Sequence, residues 1–91
     1  MPKGKINLAN RLTDNFDLIE KPDEKKIREE ILRCLRLGYT VTSIRSELQS
    51  AKSIAFDLAD SGQKIKTRQR LTVIFEMALN NARDALRNEA A

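Results

Sequence analysis

From Leu71 onward the apolar residues fall at Leu71, Ile74, Phe75, Ala78, Leu79, Ala82, Ala85 and Leu86. This is the i, i+3, i+4, i+7 pattern of a single helix face, sustained for about four turns. A strand would need alternation with a period of two, which the series never shows. The spacing predicts a helix from about Thr67 to Asn88, with Thr67 as an acceptable N-cap. The rest of the chain has to supply apolar faces that cover it.

It does so in three further segments. From about Val41 to Asp60, the residues Val41, Ile44, Leu48, Ala51, Ala55 and Leu58 are spaced 3, 4, 3, 4, 3. That is a heptad seam, with small alanines where a neighbouring helix can approach closely. Ile54 and Phe56 widen the apolar surface, Ser50 to Ser53 marks a point where the helix could break in two, and Ser61-Gly62 ends it. The segment before it opens on Lys21-Pro22-Asp23-Glu24, with proline suited to the first helical position and acids suited to the dipole. Ile27, Ile31, Cys34 and Leu35 form its stripe, and Gly38 reads as a left-handed C-cap with Tyr39 folded back on the last turn. The first segment, about Asn7 to Ile19, repeats Leu8, Leu12, Phe16 and Ile19 at helical spacing. Asn7, Asn10 and Asn15 weaken it, leaving a helix or a frayed arm.

The expected fold class is therefore all-α: one domain of 91 residues, built as a small bundle of three long helices plus a shorter N-terminal helix or arm. Residues 1–20 form the arm or helix and residues 21–91 the helical core.

Several functions are disfavoured by what the chain lacks. It has no His, which removes His-based catalysis and His metal ligands, and its one Cys cannot make an internal disulfide or a thiolate cluster. Cys34 lies on an apolar stripe and reads as a buried, unreactive thiol. The acidic run Asp14, Asp17, Glu20, Asp23, Glu24 reads as solvated charge and helix capping. No glycine-rich phosphate loop or nucleophile motif occurs, and a chain this small has little room for a pocket. The chain is not expected to be an enzyme, nor to use a metal, a cofactor or a small-molecule substrate. No apolar run is long enough to span a membrane, and the N-terminal stretch MPKGKINLANRL lacks the apolar core of a secretory signal. A cytoplasmic location is the expectation. Phe16, Phe56, Phe75 and Tyr39 are too few for an aromatic platform that stacks single-stranded bases.

The charge distribution is more telling. The net charge is +4, and no acidic side chain occurs between Asp60 and Glu76. Lys64, Lys66, Arg68 and Arg70 stand together there, where the last helix begins. A helix N-terminus already carries partial positive charge, so four cations beside it call for an anion, and a phosphate satisfies both.

The stretch from Ser53 to Leu79 reads S-I-A-F-D-L, then Gly62, then I-K-T, then R-Q-R-L. It resembles the helix-turn-helix of bacterial DNA-binding proteins over roughly a third of the chain. The resemblance implies that Ile54, Ala55 and Leu58 pack the first helix, Gly62 allows the turn, and Ile65 plugs the gap. Thr67 would then cap a recognition helix presenting Arg68, Gln69, Thr72 and Arg70 to the major groove. Phe75 and Met77 add more apolar bulk than such a helix usually has. A second register, Leu37 to Ile44, would place Ser43, Arg45, Ser46 and Gln49 outward, but its helix carries two basic against three acidic residues and makes a poorer DNA face.

Two functional readings follow. The first is a small DNA-binding protein, a transcription regulator or a mobile-element accessory factor acting as a dimer. It would contact double-stranded DNA through Lys64, Lys66, Arg68, Gln69, Arg70 and Thr72. The second is a helical protein–protein interaction module (adaptor, inhibitor or chaperone) using Val41, Ile44, Leu48, Ala51, Ala55 and Leu58 as its surface. The same seam has a plainer reading as intramolecular core. Outward exposure of Ile54, Phe56 or Met77 in a contiguous patch would favour the second.

Overall fold

The computed structural model of the chain describes residues 6–90, so the first five residues of the expected arm lie outside it. Four helices occur in the described residues and no strand: α1 (Leu8–Asn15), α2 (Glu24–Arg36), α3 (Val41–Leu58) and α4 (Lys64–Ala90). The all-α expectation holds.

The segment left as helix or arm is a packed helix, shorter than its apolar spacing implied. Leu8 and Leu12 are fully buried. Asn7 gives no side-chain cap. The carboxylate of Glu47, reaching over from α3, accepts the Ala9 N–H at 3.1 Å and takes that role. An anion at that position also suits the helix dipole. The helix stops at Asn15 and not near Ile19, and Asp17 then accepts the N–H groups of Ile19 and Glu20, closing a turn that competes with further helix.

Helix α2 starts two residues later than expected. Asp23 is the N-cap, its carboxylate accepting from the Lys25 and Lys26 N–H groups, so Pro22 precedes the helix and does not begin it. The C-terminus follows the reading of Gly38, which has φ 96°. The Tyr39 N–H reaches the Cys34 carbonyl and the Gly38 N–H that of Leu35, at 3.2 and 3.0 Å. Those two bonds define a Schellman cap. Helix α3 is capped by the Thr40 hydroxyl, which accepts the Ser43 N–H. It runs through Ser50 to Ser53 without a break.

The core has a cyclic plan. Helix α4 packs on α2 and α3, and α1 packs on α3 and α2, diagonal from α4. Ile27, Ile31 and Cys34 of α2, Ile44, Leu48, Ala51 and Ala55 of α3, and Leu71, Phe75, Ala78, Leu79 and Ala82 of α4 meet in the centre with Leu8 and Leu12. The heptad seam of α3 is therefore core. Ile44, Leu48, Ala51 and Ala55 are buried, Val41 is half-buried, and only Leu58 is largely exposed, at 70%. The proposed interaction surface on these residues is not there, because α1 and α4 already cover it.

Candidate nucleic-acid interface

Helices α3 and α4 run antiparallel, side by side. Arg45 lies thirteen residues before the end of α3 and Glu76 twelve after the start of α4, about 18–20 Å of helix each. Helices diverging at the near-right angle of a helix-turn-helix would hold those positions more than 25 Å apart (about, by the same rise per residue). Instead Arg45 Nη1 donates to Glu76 Oε2 at 2.8 Å. Closer to the turn, Lys52 Nζ donates to Thr72 Oγ1 at 3.2 Å. At the tip, the Phe56 ring faces Lys64 Nζ at 5.3 Å and the Arg68 guanidinium at 5.7 Å. The pair is a helical hairpin, and the helix-turn-helix resemblance does not extend to its geometry.

The details of the turn agree. Helix α4 begins at Lys64, and the Gln63 carbonyl accepts its first helical bond, from the Thr67 N–H at 2.8 Å. Thr67 is no cap; it is 3% exposed and faces the core. Ile65 plugs nothing, being 54% exposed. Gly62 does not adopt the left-handed backbone, which among the described residues only Gly38 does.

The early start of α4 puts all four expected cations on helix. At about 100° per residue, Lys64 and Arg68 share one flank while Lys66 and Arg70 share the opposite one. They do not form one patch. Lys64 Nζ donates to the carbonyls of Phe56 and Asp57, at 2.8 and 3.0 Å, and so caps the C-terminus of α3. Arg68 stacks over Phe56. Arg70 Nη1 donates to the Ile19 carbonyl at 3.0 Å and ties the α1–α2 connection to α4. Lys66 and Gln69 are exposed. Thr72 lies on the α3 side, accepting from Lys52 and donating to the Arg68 carbonyl at 2.8 Å.

On the Lys64–Arg68 flank the hairpin forms a groove. One hollow of about 330 Å³ is lined by Gln49, Lys52, Ser53, Phe56, Asp57 and Arg68, and continues along Arg45, Thr72 and Glu76. Asp57 is the one carboxylate that lines this hollow with Lys52 and Arg68, while Arg45 and Glu76 neutralise each other. Hydrogen bonds from Arg45 hold the Glu76 carboxyl below its ordinary range. Sequence reasoning missed Lys52 and Phe56. Their signal was the spacing of Arg45, Gln49, Lys52 and Phe56 at 4, 3, 4, a second stripe beside the apolar seam.

Cys34 is 1% exposed, and burial pushes its thiol up. No helix among the described residues is long and apolar enough to cross a membrane. Compared with protein families, with curated proteins and with solved structures, the chain finds no match in any of the three.

Proposed function

We propose that this chain binds the phosphate backbone of double-stranded DNA along the α3–α4 groove. Lys52, Lys64 and Arg68 hold phosphates, and Gln49, Ser53 and Thr72 are the neutral donors beside them. One observation carries the reading. Among the described residues, six ion pairs join Arg11 and Arg33 to Glu30, Arg28 to Glu24, Arg36 to Glu89, Arg45 to Glu76, and Arg87 to Asp84. None involves Lys52 or a cation of 64–70. Lys52, Lys64 and Arg68 rest on a hydroxyl, two carbonyls and an aromatic ring, none of which carries a negative charge. An anionic ligand is what such a cluster lacks.

The antiparallel hairpin favours phosphate contacts over base reading, because α4 lies alongside α3 and is not splayed from it as a recognition helix is. Binding is therefore expected to depend weakly on sequence. The test is titration of a labelled random duplex at two salt concentrations. About three phosphates neutralised give a log–log slope near −3. The Lys52→Ala/Arg68→Ala variant should bind more weakly with a slope shallower by about 2. A salt-insensitive isotherm, or a variant that binds like the original, removes the reading.

A further inference from the structure

The outer face of α4, opposite the face that packs on α2 and α3, carries its own heptad seam: Lys66, Arg70, Val73, Met77, Asn80 and Asp84, spaced 4, 3, 4, 3, 4, with Arg70 at its edge, where it reaches the Ile19 carbonyl. Val73 and Met77 stand 62% and 51% exposed at its centre. Lys66, Asn80 and Asp84 are exposed and Arg70 is half-buried. Two large apolar side chains one turn apart on a polar helix face, sharing a seam with charges of opposite sign at its two ends, form an unpartnered contact surface.

We infer that this face pairs with the same face of a second copy, α4 against α4 in antiparallel order, making a two-fold dimer. The argument is charge complementarity. A two-fold contact must be self-complementary: if residue i meets j, then j meets i. With the axis at the level of Phe75, Val73 meets Met77 of the second copy and Arg70 meets Asn80. Lys66 and Asp84, each nine residues from the axis, then meet as opposite charges, twice per dimer. The seam spacing alone guarantees that positions coincide. It does not guarantee the order of chemistry along them, which runs cationic, cationic, apolar, apolar, neutral, acidic. A parallel pair would set Lys66 against Lys66, Arg70 against Arg70 and Asp84 against Asp84, all like charges. Asp84 lies 3.7 Å from Arg87 of its own helix, but both side chains are largely exposed and such a pair is weak. With only two large apolar residues from each copy, the dimer is reversible and depends on concentration.

The pairing does not rest on DNA binding, since Lys52, Lys64 and Arg68 lie on a different flank. The test is sedimentation equilibrium of the full chain without nucleic acid, from micromolar to hundreds of micromolar at low salt. A monomer–dimer equilibrium is expected. Lys66→Glu and Asp84→Lys each create two like-charge contacts and should raise the dissociation constant about tenfold. The combined Lys66→Glu/Asp84→Lys variant restores opposite charges and should return close to the original value. Met77→Asp, at an exposed position, should abolish the dimer while circular dichroism shows the helices intact. The inference is overturned if the chain is monomeric throughout, if the charge swap fails to rescue, or if Lys66→Glu leaves the dissociation constant unchanged, as in a parallel pair, where one like-charge contact replaces another. None of these results bears on the duplex titration, so the two readings fail separately.

Discussion

The arginines of α1 and α2 and the cations at the tip of the α3–α4 hairpin have opposite kinds of partner. In the first region Arg11 donates twice to Glu30, both bonds at 2.9 Å, and Arg33 donates to the same carboxylate. Arg28 pairs with Glu24. At the tip Lys64 donates to two backbone carbonyls and Arg68 covers an aromatic ring. Both arrangements fix side chains and tie elements together. Only the first cancels charge, so only the first is finished within one chain. Counting basic residues would score the two regions alike; their partners tell them apart.

The comparison assumes that both regions belong to one cooperative unit, and the largest predicted effect tests that. Leu71 is fully buried in α4, immediately after the basic segment, in the core shared with α1 and α2. Leu71→Ala should cost about 2–5 kcal/mol of unfolding free energy, read from urea denaturation. A single transition, shifted as a whole, supports one unit. Two separate transitions would mean that the regions fold independently and that their charges answer to different constraints.

The fold was legible in the sequence where periodicity decides. Leu71, Phe75, Ala78, Leu79 and Ala82 are buried as their spacing required, and Gly38 ends α2 as its residue type required. The start of α4 was not. Thr67 has the side chain of a cap but also the phase of the core, four residues before Leu71, and local propensity cannot choose between those roles. Propensity also argues against cations in a first helical turn. Here tertiary partners override it: Lys64 finds the open carbonyls of α3 and Arg68 finds Phe56. The hairpin was hidden for a related reason. An apolar stripe says which face is covered, not the angle at which the neighbour lies. That angle shows only in cross-helix pairs such as Arg45–Glu76, which are far apart in sequence. The candidate site inherited both errors, since Lys52 joins it only through the antiparallel arrangement.

Acid sharpens the contrast. The hydrogen bonds from Arg11, ahead of the other influences on it, hold the Glu30 carboxyl below its ordinary value of 4.5. A group whose folded-state value is depressed stabilises the fold fully above its unfolded value, and that contribution fades as pH falls through the folded value. Glu30→Gln should therefore melt at lower temperature than the original protein at pH 7. The difference should shrink once pH drops below about 4.5 and vanish when Glu30 is protonated in both states. The hairpin tip has no such dependence, because its partners are carbonyls and a ring that do not titrate. A Glu30→Gln deficit that stays constant down to strongly acid pH would show that the α1–α2 pairs act through shape and not charge.

The smallest predicted effect on stability separates two cations that share one flank. Lys64 joins the hairpin through two carbonyls at the end of α3, so Lys64→Ala leaves those carbonyls to water and removes a charge from a helix C-terminus. The expected cost is about 0.3–1 kcal/mol. Arg68 is exposed and its guanidinium stacks on Phe56 with no ion pair among the described residues, so Arg68→Ala should change stability by less than about 0.5 kcal/mol. On duplex DNA the order changes. Each substitution removes one phosphate partner and should lower the salt slope by about 1. Arg68→Ala should thus weaken binding with the fold intact, while Lys64→Ala weakens both. If Arg68→Ala destabilises the chain as much as Lys64→Ala and leaves the salt slope unchanged, the stacked guanidinium is a fastener like the carbonyl-bound ammonium. The tip would then be as complete within one chain as the ion-paired region.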